Sequence, residues 1–166
     1  MGQSSFDQSF PKAEKQAEEF QKIQQIWVSD VMTRSPIVVV LSEKIEVAMG
    51  LMSDNQIRHL PVVDKDQNIQ GILSDRDLIK PLANSKPWVI QNRIDNLRSH
   101  NTVTDFMTPT PEIVNPDSTL LEAGSLMLEY KLSSLPVVEG NKVVGIITES
   151  DFVKLVCGEH SFFQVS

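Results

Sequence analysis

The chain repeats itself. Val28-Ser-Asp-Val-Met-Thr33 returns as Val103-Thr-Asp-Phe-Met-Thr108, at an offset of 75 residues. The same offset carries Pro36 onto Pro111, Ala48 onto Ala123, Leu51-Met52 onto Leu126-Met127, and Leu60-Pro-Val-Val63 onto Leu135-Pro-Val-Val138. Under it, 13 of the 36 positions from Val28 to Val63 are identical. After a one-residue deletion the offset is 74, so Gly71-Ile-Leu-Ser74 meets Gly145-Ile-Ile-Thr148 and Asp77 meets Asp151. Self-similarity held over such a length marks one supersecondary unit used twice. A unit this short cannot bury both faces of its own sheet and helices. Two of them packed together bury what each would leave wet.

Each repeat reads as the same series of elements. In the first, the β-branched run Ile37 to Val40 predicts a strand. Ser42 stands as the N-cap of a helix with Ile45, Ala48, Met49 and Met52 at helical spacing. Leu60 to Val63 and Ile69 to Leu73 form a hairpin around the turn-rich Asp64-Lys-Asp-Gln-Asn68. Ser74 or Asp75 then caps a short helix through Lys80. The second repeat gives the strand Ile113-Val114, then a helix from Leu120 capped by Asp117 or Ser118. The strands Leu135 to Val138 and Val143 to Ile147 flank the turn Glu139-Gly-Asn141, and a last helix starts near Glu149. The expected fold is α/β (α+β): two β-α-β-β-α repeats packed sheet to sheet with pseudo-two-fold symmetry, plus an N-terminal helix. The chain divides into an N-terminal segment (1–27), repeat 1 (28–80), a linker (81–102), repeat 2 (103–157) and a tail (158–166). Residues 11–27 predict an amphipathic helix with Phe20, Ile23 and Trp27 in one stripe, suited to packing on the module or on a second copy. Pro87 breaks the linker, in which Trp88, Val89, Ile94 and Leu97 predict a short docked piece.

Composition removes several function classes. The 166 residues carry a formal net charge of -7, which repels a phosphate backbone and argues against a broad nucleic-acid footprint while leaving room for a local basic pocket. The longest apolar run, Ile37 to Leu41, is too short to span a bilayer. The N-terminus has no hydrophobic signal core, and Phe6 stands where N-myristoylation wants Ser or Thr. A cytoplasmic location without membrane contact is expected. The single cysteine, Cys157, cannot form a disulfide within the chain and is expected to be a small buried or half-buried residue near a helix end. No Gly-x-Ser-x-Gly elbow, P-loop or His-Glu-x-x-His is present. His59, His100 and His160 lie far apart, and Asp75 with Asp77 makes a poor cation cage. The expectation is a protein that is not an enzyme and holds no metal.

The segment Gly71-Ile-Leu-Ser-Asp-Arg-Asp77 carries the chemistry that remains. Gly71 permits close backbone approach. Ser74 sits where a strand gives way to a helix, and a helix N-terminus favours a phosphate. Arg76 offers a fork of donors for phosphate. Asp77, one turn into the helix, is placed to accept hydrogen bonds from both hydroxyls of a ribose, as acidic residues do in dinucleotide folds. The competing reading is that Ser74 and Asp75 only cap the helix and that Asp77 favours its dipole.

The repeated pattern Met-Thr-x-x-Pro, strand, helix ending in Met, Leu-Pro-Val-Val, turn, Gly-Ile-x-Ser/Thr-x-x-Asp resembles the cystathionine-β-synthase (CBS) domain, from about Val28 to Val156 apart from the linker. A tandem pair is called a Bateman module, and Ser74-Asp-Arg-Asp77 is similar to stand-alone bacterial pairs named as acetoin-utilisation-like proteins. The resemblance implies two units joined by their sheets, with clefts that commonly hold adenine nucleotides or S-adenosylmethionine. It makes Ser74 and Asp77, and their counterparts Thr148 and Asp151, hydroxyl and ribose-acid positions. It gives Arg58, His59 and Arg76 to phosphates, although it does not assign the three to one cleft. Their repeat 2 counterparts are Ser133, Ser134 and Ser150. Val38 and Ile113, with Leu60, Ser134 and Leu135 on the strands around Pro61 and Pro136, are the implied adenine walls. Repeat 1 departs from the family in having Leu41-Ser42 where repeat 2 has Pro116-Asp117. The expected function is a regulatory ligand-sensing module binding AMP, ADP, ATP or S-adenosylmethionine between its repeats. No required cofactor is expected; a homodimer and a further protein partner are. The alternative is a structural dimerisation or protein-interaction module with no bound nucleotide, which the Phe162-Phe163 tail would suit.

Overall fold

The computed structural model describes residues 26–80 and 101–158. Most of the expected N-terminal helix, nearly all of the linker and most of the tail, with Phe162-Phe163, His100 and His160, lie outside the described residues.

Within them the chain forms helix α1 (Val28–Val31), strands β1 (Thr33–Arg34) and β2 (Val39–Val40), helix α2 (Ile45–Asp54), strands β3 (His59–Val63) and β4 (Ile69–Ser74), and helix α3 (Asp75–Ile79). A 3-10 turn at Val103–Asp105 opens the second half. Strand β5 (Thr108–Pro109), helix α4 (Leu120–Tyr130), strands β6 (Ser134–Glu139) and β7 (Lys142–Thr148), and helix α5 (Glu149–Val156) follow.

Two sheets result, ordered β2-β3-β4-β5 and β1-β7-β6. Each joins the hairpin of one repeat to the short leading strand of the other repeat, which lies at its edge. Thr33 and Arg34 pair with Ile146 and Gly145, and Thr108 and Pro109 pair with Ile72 and Gly71. The exchange explains both glycines. A Cβ on Gly71 would lie 2.6 Å from the Met107 sulfur and 2.9 Å from the Thr108 carbonyl oxygen, and one on Gly145 would collide with the Met32 sulfur. The Met-Thr of each repeat therefore crosses the Gly-Ile of its partner, where only a hydrogen fits.

The hydrophobic core is divided in the same way. One cluster joins Val39, Ile45, Ala48, Leu60, Val62 and Leu73 with Val103 of the second half. The other joins Val114, Leu120, Ala123, Leu135, Val137 and Ile147 with Ile26, Val28 and Val31 of the first. Residues 28–34 thus belong by sequence to repeat 1 and by packing to repeat 2.

Several boundaries differ from expectation. The strand Ile37 to Val40 shrinks to Val39–Val40, and Ile113-Val114 to a single parallel bridge from Val114 to Val137. Each needs only enough ladder to seat one valine against the hairpin. Helix α2 starts at Ile45, with Lys44 and not Ser42 at its N-cap and no side-chain bond there. Helix α4 is capped by Thr119, not Asp117 or Ser118: the Thr119 hydroxyl accepts from Glu122 N, and Glu122 accepts from Thr119 N at 2.8 Å. A reciprocal capping box satisfies two orphan amides, which Asp117 and Ser118 are one or two residues too early to do. Cys157 is exposed, because α5 ends there and its buried face is spent at Asp151 and Leu155.

Candidate functional site

Both Ser/Thr-x-x-Asp motifs are helix caps, and both leave chemistry over. At the start of α3 the Ser74 amide and hydroxyl donate to Asp77 Oδ2 at 2.9 and 2.6 Å. At the start of α5 the Thr148 amide and hydroxyl donate to Asp151 Oδ2 at 2.8 and 2.9 Å. Each arrangement occupies one carboxylate oxygen and turns the other outward. Here the motifs diverge. Lys80 Nζ lies 2.5 Å from Asp77 Oδ1, whereas Lys154 Nζ, its counterpart by sequence, lies 3.7 Å from Asp151 Oδ1. Both acids are buried, at 7% and 4% exposure, although their lysines are in solvent. Burial pushes the Asp77 carboxyl up, but the Lys80 ammonium and the two Ser74 donors outweigh it and hold it below the ordinary aspartate value.

A cleft of about 640 Å³ opens beside Asp151. It is lined by Thr148, Asp151 and Lys154 of repeat 2, and by Thr33 of the exchanged strand β1 with Ser35, Pro36 and Ile37, which follow that strand. Arg58, His59, Asp75 and Arg76 of repeat 1 line it too, together with Ser133 and Glu149 of repeat 2. The volume lies in the range that holds a small organic ligand. The geometry puts Arg58, His59 and Arg76 in the cleft of Thr148 and Asp151, an assignment sequence and resemblance had left open.

Two of these lining residues are tied together across the repeats. His59 Nε2 and Ser133 Oγ share a hydrogen bond of 2.8 Å. The backbones repeat one another here: Asp75 N donates to the Arg58 carbonyl at 3.0 Å, and Glu149 N to the Ser133 carbonyl at 3.1 Å. Burial depresses the His59 pKa below its ordinary value. Asp75 and Glu149 oppose the fall, and Arg76 and Arg58 add to it. The surroundings therefore favour the neutral ring.

Not every expected residue comes to this cleft. Ser74 and Asp77 sit at the counterpart position of the other repeat and do not line it. Leu60 and Leu135 are fully buried in the two separate cores, and Ser134 is 7% exposed beneath β7. Val38 is half-buried and Ile113 exposed, and neither reaches the cleft. Its apolar surface comes instead from Pro36, Ile37, Ile57 and Ile146. Ile37, Arg58, His59 and Ser133, which line it, sit just outside or at the first position of the strands, whereas β3 and β6 are buried along nearly their whole length. Ser133, not Ser134, is the serine that enters. The missed wall carried a signal in the repeated Met-Thr-x-x-Pro, whose Thr33 and Pro36 both line the cleft.

Among the described residues no group of three or more acidic, His or Cys side chains could hold a metal ion, and no helix is long and apolar enough to cross a membrane.

Two β/α units, each completing the other's sheet and sharing a cleft, define a tandem two-unit architecture. Residues 28–84 and 103–158 match the CBS domain. The chain belongs to the CBS domain family. Among solved structures, CBSX2 of Arabidopsis thaliana in complex with AMP superposes with a TM-score of 0.67 at 30% identity, covering 80% of this chain and 97% of that one. A Vibrio cholerae structure described as an acetoin utilization protein, AcuB, gives 0.66 at 32% identity, over 81% and 92%. The CBS domain pair of protein MJ0100, in complex with 5′-methylthioadenosine and S-adenosyl-L-methionine, gives 0.67 at 28% identity, over 80% and 97%.

Proposed function

We propose that this protein is a regulatory module, not an enzyme, that senses an adenosine ligand in the cleft of Thr148 and Asp151. AMP, ADP or ATP is the preferred ligand, ahead of S-adenosylmethionine. The observation that carries the reading is the meeting of a half-satisfied buried carboxylate with three cationic or protonatable side chains of the other repeat in one cleft of suitable size. Asp151 Oδ1 accepts from the ribose hydroxyls, and Thr148 holds the acid in place. The apolar surface of Pro36, Ile37, Ile57 and Ile146 takes the base. Arg58, His59 and Arg76 take the phosphate end, where a sulfonium would be repelled. AMP in the CBSX2 complex supports the first choice, and S-adenosylmethionine with the MJ0100 pair keeps the second in view.

Because the cleft is walled by both repeats, occupancy changes the free energy of their packing, which is what a sensor requires. The module works in the cytoplasm as a homodimer. Leu128 and Val156, 83% and 87% exposed on α4 and α5, supply apolar surface for a second copy. The same surface favours the alternative of an interaction module with empty clefts.

Calorimetric titration with AMP, ADP, ATP and S-adenosylmethionine tests the reading beside Asp151→Ala and Asp77→Ala. Nucleotide binding that vanishes in Asp151→Ala and survives in Asp77→Ala supports it. A folded protein that binds none of the four at millimolar concentration sinks it and leaves the interaction module.

A further inference from the structure

His59 stands out among the groups of the cleft because its charge is not settled. Arg58, Arg76 and Lys154 are the other basic side chains there, and Asp75, Glu149 and Asp151 the acidic ones. All of them line the same cleft. His59 lies among Arg58 of its own strand end, Asp75 and Arg76 of α3 and Glu149 of α5, and its Nε2 is held at 2.8 Å from Ser133 Oγ. With the cleft empty, partial burial and two neighbouring guanidinium groups favour the neutral ring. A phosphate dianion seated between Arg58 and Arg76 would neutralise those guanidinium charges and set a negative charge beside the ring. Both changes favour imidazolium. The Ser133 hydroxyl suits either state, since it donates to a bare Nε2 and accepts from a protonated one.

We propose that His59 takes up a proton when a ligand with an anionic 5′ group enters the cleft, so that the cleft selects its ligand by the charge at the 5′ position and loses affinity for it as pH rises. This rests on the adenosine-ligand reading above and adds the proton to it. The sign follows from linkage. A pKa that is higher in the complex than in the free protein strengthens binding below the free pKa, and that gain is lost as pH rises through the bound pKa. Adenosine has no 5′ charge and carries no such dependence.

The direct test follows the His59 Cε1 proton by NMR, assigned by its disappearance in His59→Gln. In the free protein its pKa is expected below the ordinary histidine value. With saturating AMP it is expected to rise by about one unit or more, and with adenosine to stay within ~0.3 unit. Calorimetry in buffers of different ionisation heat adds a second readout: AMP binds with net proton uptake near pH 7.5, and His59→Gln, its fold checked by circular dichroism, abolishes the uptake. The ratio of wild-type to His59→Gln affinity removes the titration of the AMP phosphate itself, whose second pKa is ~6. That ratio is expected to fall up to about tenfold between pH 6 and 8.5. AMP binding that leaves the His59 pKa unmoved overturns the proton linkage and spares the nucleotide reading. Failure of AMP, ADP and ATP to bind anywhere in that range overturns both.

Discussion

Thr33 stands opposite Ile146 in an antiparallel pair, so the first strand of repeat 1 completes the sheet of repeat 2. The reciprocal pair, Thr108 with Ile72, returns the exchange. Neither repeat has a whole sheet without the other, and Ser35, Pro36 and Ile37 line the cleft because the strand before them is docked on the far repeat.

The two crossing points predict unequal costs. At Gly71 an added methyl meets a backbone oxygen at 2.9 Å as well as the Met107 sulfur, whereas at Gly145 the nearest backbone oxygen, of Thr33, is 3.2 Å away. A methionine end can swing, but a backbone in a ladder cannot. Gly71→Ala is expected to lose about 1–3 kcal/mol in urea unfolding, and Gly145→Ala less. An equal or reversed order would refute the steric account.

Asp77 predicts an acid dependence. Its folded pKa is depressed against the cost of burial by Lys80 and Ser74. Its contribution is therefore complete above the unfolded-state value and is lost as pH falls through the folded one. Asp77→Asn is expected to be less stable than wild type at pH 7, with the difference shrinking below about pH 4. Parallel thermal melts of the two proteins from pH 7 to pH 2.5 measure this. A gap that persists undiminished at the acid end contradicts it.

Leu60 and Leu135 are counterparts, each fully buried, in different clusters. Either residue changed to Ala is expected to cost about 2–5 kcal/mol of stability. Ligand affinity, measured on the fraction still folded, should move less than threefold, since neither side chain lines the cleft. A large loss of affinity in one alone would return that leucine to the adenine wall.

Lys131 ends α4 in the left-handed conformation, with φ 55 and ψ 44. A side chain there pays a steric cost that glycine escapes, while glycine loses more freedom on folding. The net expectation for Lys131→Gly is a gain of about 0.5–1 kcal/mol, read as a higher denaturation midpoint at unchanged slope.

The sequence made the hairpins and helices legible because their signals are local: β-branched runs, turn residues and helical spacing each act within a few positions. Ser74 shows the limit of a local signal done well, since capping and ligand chemistry ask for the same hydroxyl, and the structure shows the cap in place. The N-caps Lys44 and Thr119 escaped because the first turn can close on any of several adjacent polar residues, and the signal does not choose among them. The strand exchange was not legible at all. A repeat announces that two units are alike without saying which strand of one lies on which sheet of the other. Leu60 and Leu135 were misread because β3 and β6 are buried almost throughout, so a strand position in them belongs to the core, and only the strand entries at Arg58, His59 and Ser133 reach the cleft.

The placement of residues 26–34 also sets a path for mechanical load. Ile26 O accepts from Leu120 N at 2.8 Å, Val28 N donates to Ser118 O at 2.8 Å, and Ser35 N donates to Val144 O at 3.1 Å. The chain is thus moored to the second half on both sides of α1 before it reaches any part of the first half's hairpin. A pull from the N-terminal side meets the bonds at Ile26 and Val28 before it can reach Thr33 to Ile37, so those moorings shield the margin of the cleft.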